Sequence, residues 1–172
     1  MSKSSPNIII KNYEHLPKEL LAWMAGFFDG EGSIELGVYR NKRTNTMYFK
    51  RRVCVANTDL NVLNLFRTNF GGCIYESSFS KKNIKWKQMY YWNVATKQSI
   101  SFIRAIYPYL RVKKQRADLY IMFEDCISYK MMLGRGSKPL KKEEMSRRLV
   151  IVNELKRLNR RGRQEDNVKS VT

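Results

Sequence analysis

The chain holds a single histidine, His15, and three cysteines, Cys54, Cys73 and Cys126, with no CxxC pair. That excludes a zinc finger and removes most acid–base mechanisms that run through imidazole. Odd, widely spaced thiols fit a reducing compartment. If the chain is an enzyme, its chemistry must come from carboxylates and lysines, with or without a metal. One acidic pair stands apart. Asp29 and Glu31 flank Gly30 at the end of a helical pattern, where the helix dipole disfavours negative charge. Lys plus Arg number 33 against 15 Asp plus Glu, a formal charge of +18. In such a chain two acids at a helix end are unfavourable for stability, and a bound cation would explain them. Mg²⁺ commonly binds through one or two protein carboxylates together with phosphate and water.

The charge itself speaks about partners. It points to a polyanion, nucleic acid foremost and an anionic membrane surface second. The membrane reading is the weaker one: no run of 18 or more apolar residues exists. The first residues lack an apolar core followed by a cleavage site, so the expectation is an intracellular protein, in an archaeal or bacterial cytoplasm or an organelle. At 172 residues the length suits one domain. The pattern divides it into a flexible arm over 1–15, a domain over 16–160 and a basic disordered tail over 161–172.

The elements that must position the acids read as follows. Leu20, Leu21, Met24, Phe27 and Phe28 lie at helical spacing, and Gly30 and Gly32 stop that helix. Ser33 to Arg40 alternates, with Ile34, Leu36 and Val38 on one face, which predicts a strand. Met47 to Asn57 predicts a second strand, with Phe49, Val53 and Val55 in phase. Thr58 or Asp59 can cap the next helix, whose Leu60, Leu63, Phe66 and Phe70 face the core and which Gly71 and Gly72 end. Strands follow at Cys73 to Phe79 and Trp86 to Ala95. Ile100, Ile103 and Ile106 mark a further helix that Pro108 interrupts. A long helix from Lys114 to Met132, a linker at Gly134 to Pro139 and a last helix from Lys141 to Leu158 complete the chain. Two hairpins with interspersed helices predict an α+β fold, αββαββα: an antiparallel curved sheet with helices on one face, plus C-terminal helices. The sheet's other face is then open to solvent.

That open face is basic and aromatic. It would carry Glu35, Tyr39, Tyr48, Lys50, Arg52, Cys54, Cys73, Tyr75 and Ser77. The hairpin loops add Arg40, Asn41, Lys42, Arg43, Lys81, Lys82 and Lys85. If Trp92 and Val94 point inward, Lys87, Tyr91 and Asn93 point out; a one-residue slip reverses that. The face is either an ordinary solvated sheet or a surface that meets nucleic acid, since a two-stranded ribbon fits the DNA major groove. On the first helix, Ala22, Gly26 and Asp29 form a stripe of small or short residues. Such a stripe lets a second helix approach closely. The opposite stripe of Leu21, Met24 and Phe28 would cover the sheet. The alternative is a core helix with a tolerated glycine, at a cost of about 1 kcal/mol.

The stretch Met24-Ala25-Gly26-Phe27-Phe28-Asp29-Gly30-Glu31-Gly32 resembles the motif of the LAGLIDADG homing endonucleases, with Met24 for its leading Leu and Glu31 for its final Asp. Asn57-Thr58-Asp59 and the segment from Pro108 to Ala117 are also similar to the family, and the resemblance spans about 16–160. It implies intron-encoded, site-specific hydrolysis of both strands of a long double-stranded DNA site, leaving short 3′ overhangs, with Mg²⁺ or Mn²⁺. A single motif implies a homodimer that brings two Glu31 side chains together and a near-palindromic target. On this resemblance Glu31 binds metal, with the Gly30 or Gly32 carbonyl as a second ligand. Lys113 stabilises phosphoryl charge, Asn57 positions water, and Ala22, Gly26 and Asp29 lie at the dimer interface. Asn61 stands where relatives often carry a basic residue. Plainer roles stay open beside these: Glu31 as a helix-end carboxylate, Lys113 as a solvated lysine, Asn57 as a turn residue. Two other functions suit the same fold, an RNA-binding maturase and a DNA-binding protein that has lost cleavage.

Overall fold

The structure, a computed structural model, describes Tyr13 and residues 15–43, 47–78, 86–127 and 142–160. The elements are α1 (Lys18–Glu31), β1 (Gly32–Arg40), β2 (Met47–Asn57), α2 (Leu60–Phe70), β3 (Cys73–Glu76), β4 (Tyr90–Ala95), α3 (Thr96–Ile106), a 3₁₀ turn (Tyr107–Tyr109), α4 (Lys114–Asp125) and α5 (Lys142–Asn159). This is the expected α+β order. The four strands form one antiparallel sheet in the order β1-β2-β4-β3.

Period-two alternation decides which side chains meet the helices. Ile34 and Leu36 of β1, Val53 and Val55 of β2, and Trp92 and Val94 of β4 are buried. The register pairs Val55 with Trp92 and Val53 with Val94, so Tyr91 and Asn93 face outward as expected. The core centres on Phe102 of α3. Its ring lies 5.3 Å from Phe28, 4.8 Å from Phe70, 5.1 Å from Trp92 and 6.0 Å from Phe66. Trp92 buries its indole completely and still donates its N–H to the Gly71 carbonyl at 2.7 Å. Asp59 caps α2, its carboxylate accepting from the Asn61 N–H at 2.8 Å. Gly71 and Gly72 turn the chain out of that helix at φ of 72° and 83°, which favours glycine.

Several boundaries differ from the sequence expectation. Tyr13 is only 6% exposed and stacks 4.5 Å from Phe70, so the packed domain begins inside the expected arm. Gly30 does not stop α1, which runs on to Glu31 and is capped by Gly32. Leu60 opens α2 and is exposed, because the first helical turn sits above the core. β3 ends at Glu76. Ser77 therefore leaves the sheet's alternation and is buried, its N–H bonded to the Met89 carbonyl and its own carbonyl accepting from Gln88 Nε2. It is not part of the open face. β4 starts at Tyr90, so Lys87 precedes the strand and is exposed. α4 closes at Asp125, where the Ile127 N–H turns back to the Glu124 carbonyl. The linker at 134–139, the basic loop with Lys81, Lys82 and Lys85, and the tail over 161–172 lie outside the described residues. No described helix is long and apolar enough to cross a membrane.

Arg51 of β2 points to the helices, where its guanidinium bonds both carboxylate oxygens of Glu124 at 2.7 and 2.8 Å. Arg148 of α5 lies over the rings of Phe49 and Phe123 and donates to the Cys126 carbonyl at 3.3 Å. Burying charge is tolerated only with such bidentate or stacked partners. At its C-terminal end, α5 reaches β1 through Asn159 Nδ2, which donates to the Ile34 carbonyl at 3.0 Å. We expect Phe102→Ala to lower the unfolding free energy by about 3–5 kcal/mol, measured by urea denaturation. A loss near zero would show that this ring is not the centre of the core.

Candidate active site and nucleic-acid interface

The end of α1 is held by packing on one side and by hydrogen bonds on the other. Met24, Ala25 and Phe28 are fully buried. A Cβ on Gly32 would lie 2.2 Å from the Phe28 ring, so only glycine lets the chain turn from α1 into β1 here. Asp29 takes three backbone N–H groups of the segment before α4. Its Oδ2 accepts from Arg111 at 2.7 Å and Val112 at 3.1 Å, and its Oδ1 from Lys113 at 2.8 Å. The Lys113 ammonium returns to the Asp29 carbonyl. Both carboxylate oxygens of Asp29 therefore bond within its own chain. This removes half of the electrostatic puzzle, because three N–H dipoles offset the charge at the helix end.

Glu31 is left in a different state. It is exposed, and among the described residues its carboxylate has no ion pair or hydrogen bond. It lines a groove of about 1530 Å³ over the open face of the sheet, as do Gly30 and Lys113. The floor carries Glu35, Arg52, Tyr75, Tyr91 and Asn93, and the far rim is formed by Arg116, Asn159 and Arg160. At the far end of the β1–β2 hairpin, Tyr39 and Tyr48 sit opposite each other and exposed, with Arg40, Asn41 and Arg43 beyond them. The Arg43 N–H bonds the Asn41 side chain at 2.9 Å.

The floor is ordered. Glu35 holds both Lys50 and Arg52, at 3.1 and 2.8 Å. The Lys50 ammonium also lies 5.8 Å from the centre of the Tyr39 ring. The Asn93 Oδ1 is buried and has no donor. Burial pushes the Cys54 thiol up from its ordinary value, and a hydrogen bond with Cys73 does the same to the Tyr75 phenol, so both stay neutral. Asn57 is not brought to this groove. Strand alternation places it with Val53 and Val55, and its Oδ1 accepts from the Asp59 N–H at 2.8 Å. It acts as the turn residue at the end of β2.

On the outer side of α1, Ala22, Gly26 and Gly30 are exposed. A Cβ on Gly26 or Gly30 would meet nothing within 4 Å among the described residues, so none of them requires glycine there. Trp23 is 44% exposed beside them and stacks on Phe27 at 5.5 Å. No group of three or more His, Cys, Asp or Glu that could hold a metal exists among the described residues. Among the described residues that line the groove, Glu31 is the one carboxylate without a partner.

Sequence reasoning missed two features. The first is the Asp29 clamp. The second is the rim made by Arg116, which donates to Asn159 Oδ1 and the Leu158 carbonyl at 3.0 and 2.5 Å and so fixes the end of α5. The basic cluster from Lys156 to Arg163 was the available signal, and its first half is ordered helix. We expect Asp29→Asn, which sets an amide against three donors, to cost about 1–3 kcal/mol and to speed amide exchange at Arg111, Val112 and Lys113. Unchanged exchange at those three amides would contradict the clamp.

Comparison with known proteins agrees with this geometry. A family model described as LAGLIDADG endonuclease matches residues 24–127, from the middle of α1 to just past α4. No curated protein matches the chain. Among solved structures, the homing endonuclease I-CvuI in complex with its target superposes with a TM-score of 0.67 at 14% identity, over 85% of each chain. The archaeal intron-encoded homing endonuclease I-Vdi141I, complexed with DNA, gives 0.65 at 15% identity, over 87% of this chain and 89% of that one. The homing endonuclease I-TnaI gives 0.57 at 21% identity, over 80% and 93%. The structural likeness is one of fold, and with the family match across more than half of its length the chain belongs to the LAGLIDADG endonucleases.

Proposed function

We propose that the chain is a site-specific DNA endonuclease that works as a homodimer with a divalent metal, cutting both strands of a long, near-palindromic duplex and leaving short 3′ overhangs. The observation that carries this reading is the unpaired Glu31 carboxylate beside Lys113 on the wall of a basic groove. An exposed acid with no partner, in a chain of +18, is suited to hold a cation.

The donor set fits a hard ion. Glu31 offers a carboxylate, and the last carbonyls of a helix lack intrahelical donors. Of these, the Phe28 carbonyl is taken by the Gly32 N–H and the Asp29 carbonyl by Lys113; Gly30, which lines the same groove, carries the second oxygen that the family resemblance implies. Mg²⁺ or Mn²⁺ there would supply Lewis acidity toward a phosphate and an ionised water. Lys113 is tethered at the same wall, where its charge favours a phosphoryl group as negative charge builds up. The floor meets bases, and Arg116, Arg160 and the hairpin tip meet phosphates.

The outer stripe of α1 supports the homodimer. Gly26 costs about 1 kcal/mol in a helix interior, and its own chain gains nothing from it; a partner helix in close approach would offset that cost. Pairing at this stripe places the two Glu31 side chains near a twofold axis.

Three outcomes test the reading. Glu31→Gln should reduce linearisation of a supercoiled plasmid carrying a selected site by about 100-fold or more, with binding in gel-shift assays retained. A fully active variant would refute the metal assignment, and binding without linearisation by the natural chain would favour the inactive or maturase reading. Gly26→Leu should yield a monomer by sedimentation with an unchanged core, whereas a dimer would move the interface elsewhere. Affinity should fall steeply with salt, with a log–log slope of about −5 or steeper.

A further inference from the structure

Among the side chains of β1 and β2 that face the groove, Glu35 is the one carboxylate. It stands directly opposite Arg52 in the strand register. Its Oε2 accepts from Arg52 Nε at 2.8 Å and lies 2.8 Å from Nη2 as an ion pair, and its Oε1 accepts from Lys50 Nζ at 3.1 Å. On the other side Arg52 is paired in register with Ala95, a methyl that offers no competing acceptor. The side chains of Arg52, Lys50 and Glu35 are 41%, 37% and 35% exposed. Ion pairs this open add about 1 kcal/mol or less to stability, so holding the fold together does not account for the arrangement.

Orientation does account for it. A guanidinium bonded at Nε, with Nη2 against the same oxygen, is biased toward one orientation of its long side chain. Its opposite end, Nη1 with the second Nη2 proton, is left to the groove that Arg52 lines. That planar fork matches the O6 and N7 acceptors of guanine in the major groove, the commonest specific contact between protein and DNA. Resting on the DNA-binding reading above, we propose that Arg52 reads a guanine in each half-site and that Glu35 is the positioning residue that aims it. Two cations on one carboxylate leave a net positive pair, so the fork still faces DNA with favourable charge.

Selection of a randomised duplex library by the full chain in Ca²⁺, followed by sequencing, tests this. The expected result is one position per half-site with strong guanine enrichment. Arg52→Lys keeps the charge and removes the fork, and Glu35→Gln keeps the fork and removes its anchor. Each should lower guanine enrichment at that one position by about tenfold or more, with the other positions unchanged. Glu35→Gln should also bind unrelated duplex more tightly than the natural chain does. Retention of the guanine by either variant, or an even loss of preference across all positions, would overturn the assignment. If the natural chain enriches no sequence at all, the DNA-binding reading itself fails, and this assignment with it.

Discussion

The carboxylate of Asp29 joins two parts of the chain that are more than 80 residues apart in sequence, and the site depends on that junction. By taking the N–H groups of Arg111, Val112 and Lys113, it pins the start of α4 to the end of α1. The same contact sets Lys113 on the groove wall with Glu31. Charged acceptors bond backbone N–H groups more strongly than neutral ones, so a single side chain can fix this corner. Phe28 and Gly32 fix it from the other side, where the ring leaves no room for a Cβ. Glu31, one residue before that glycine, is thereby presented to the groove without a partner.

Charge is distributed in two ways in this molecule. Inside, Arg51 and Arg148 are paid for locally, the first by Glu124 and the second by Glu144 and two aromatic faces. Outside, cations line the groove with few acids among them, and one of those acids, Glu35, holds two of the cations in place. Self-repulsion of a chain at +18 is a standing cost to the folded state. A polyanionic duplex across the groove would relieve it. The outer stripe of α1 shows the same logic for packing: glycines that this chain does not need are suited to a second copy.

Much of this was legible in the sequence, and what was legible was local. Period-two alternation assigned the faces of β1 and β2, whereas β4 stayed open to a one-residue slip until its pairing with β2 set Tyr91 and Asn93 outward. Helical spacing separated Met24 and Phe28 from Ala22 and Gly26. The motif around Glu31 was visible from its acids and glycines alone. What escaped depended on distant contacts. Nothing near Asp29 says that its partners are residues 111–113. Alternation puts Arg51 in phase with Phe49 and Val53, but nothing near it names Glu124 of α4 as its partner. Ser77 looked outward-facing because β3 was read three residues too long, and Tyr13 looked loose because Phe70 lies far along the chain. Asn57 carried two readings, and the turn to Asp59 is the one its hydrogen bond supports.

The central claim is that each of two copies brings one Glu31 to one strand of the same duplex. Mixed dimers test it most directly. The natural chain and a size-tagged Glu31→Gln chain are co-expressed, the heterodimer is isolated, and its products on supercoiled plasmid are resolved. The account predicts nicked circles from the heterodimer, with one strand cut and the other intact. Linear product from the heterodimer at the rate of the natural dimer would contradict it.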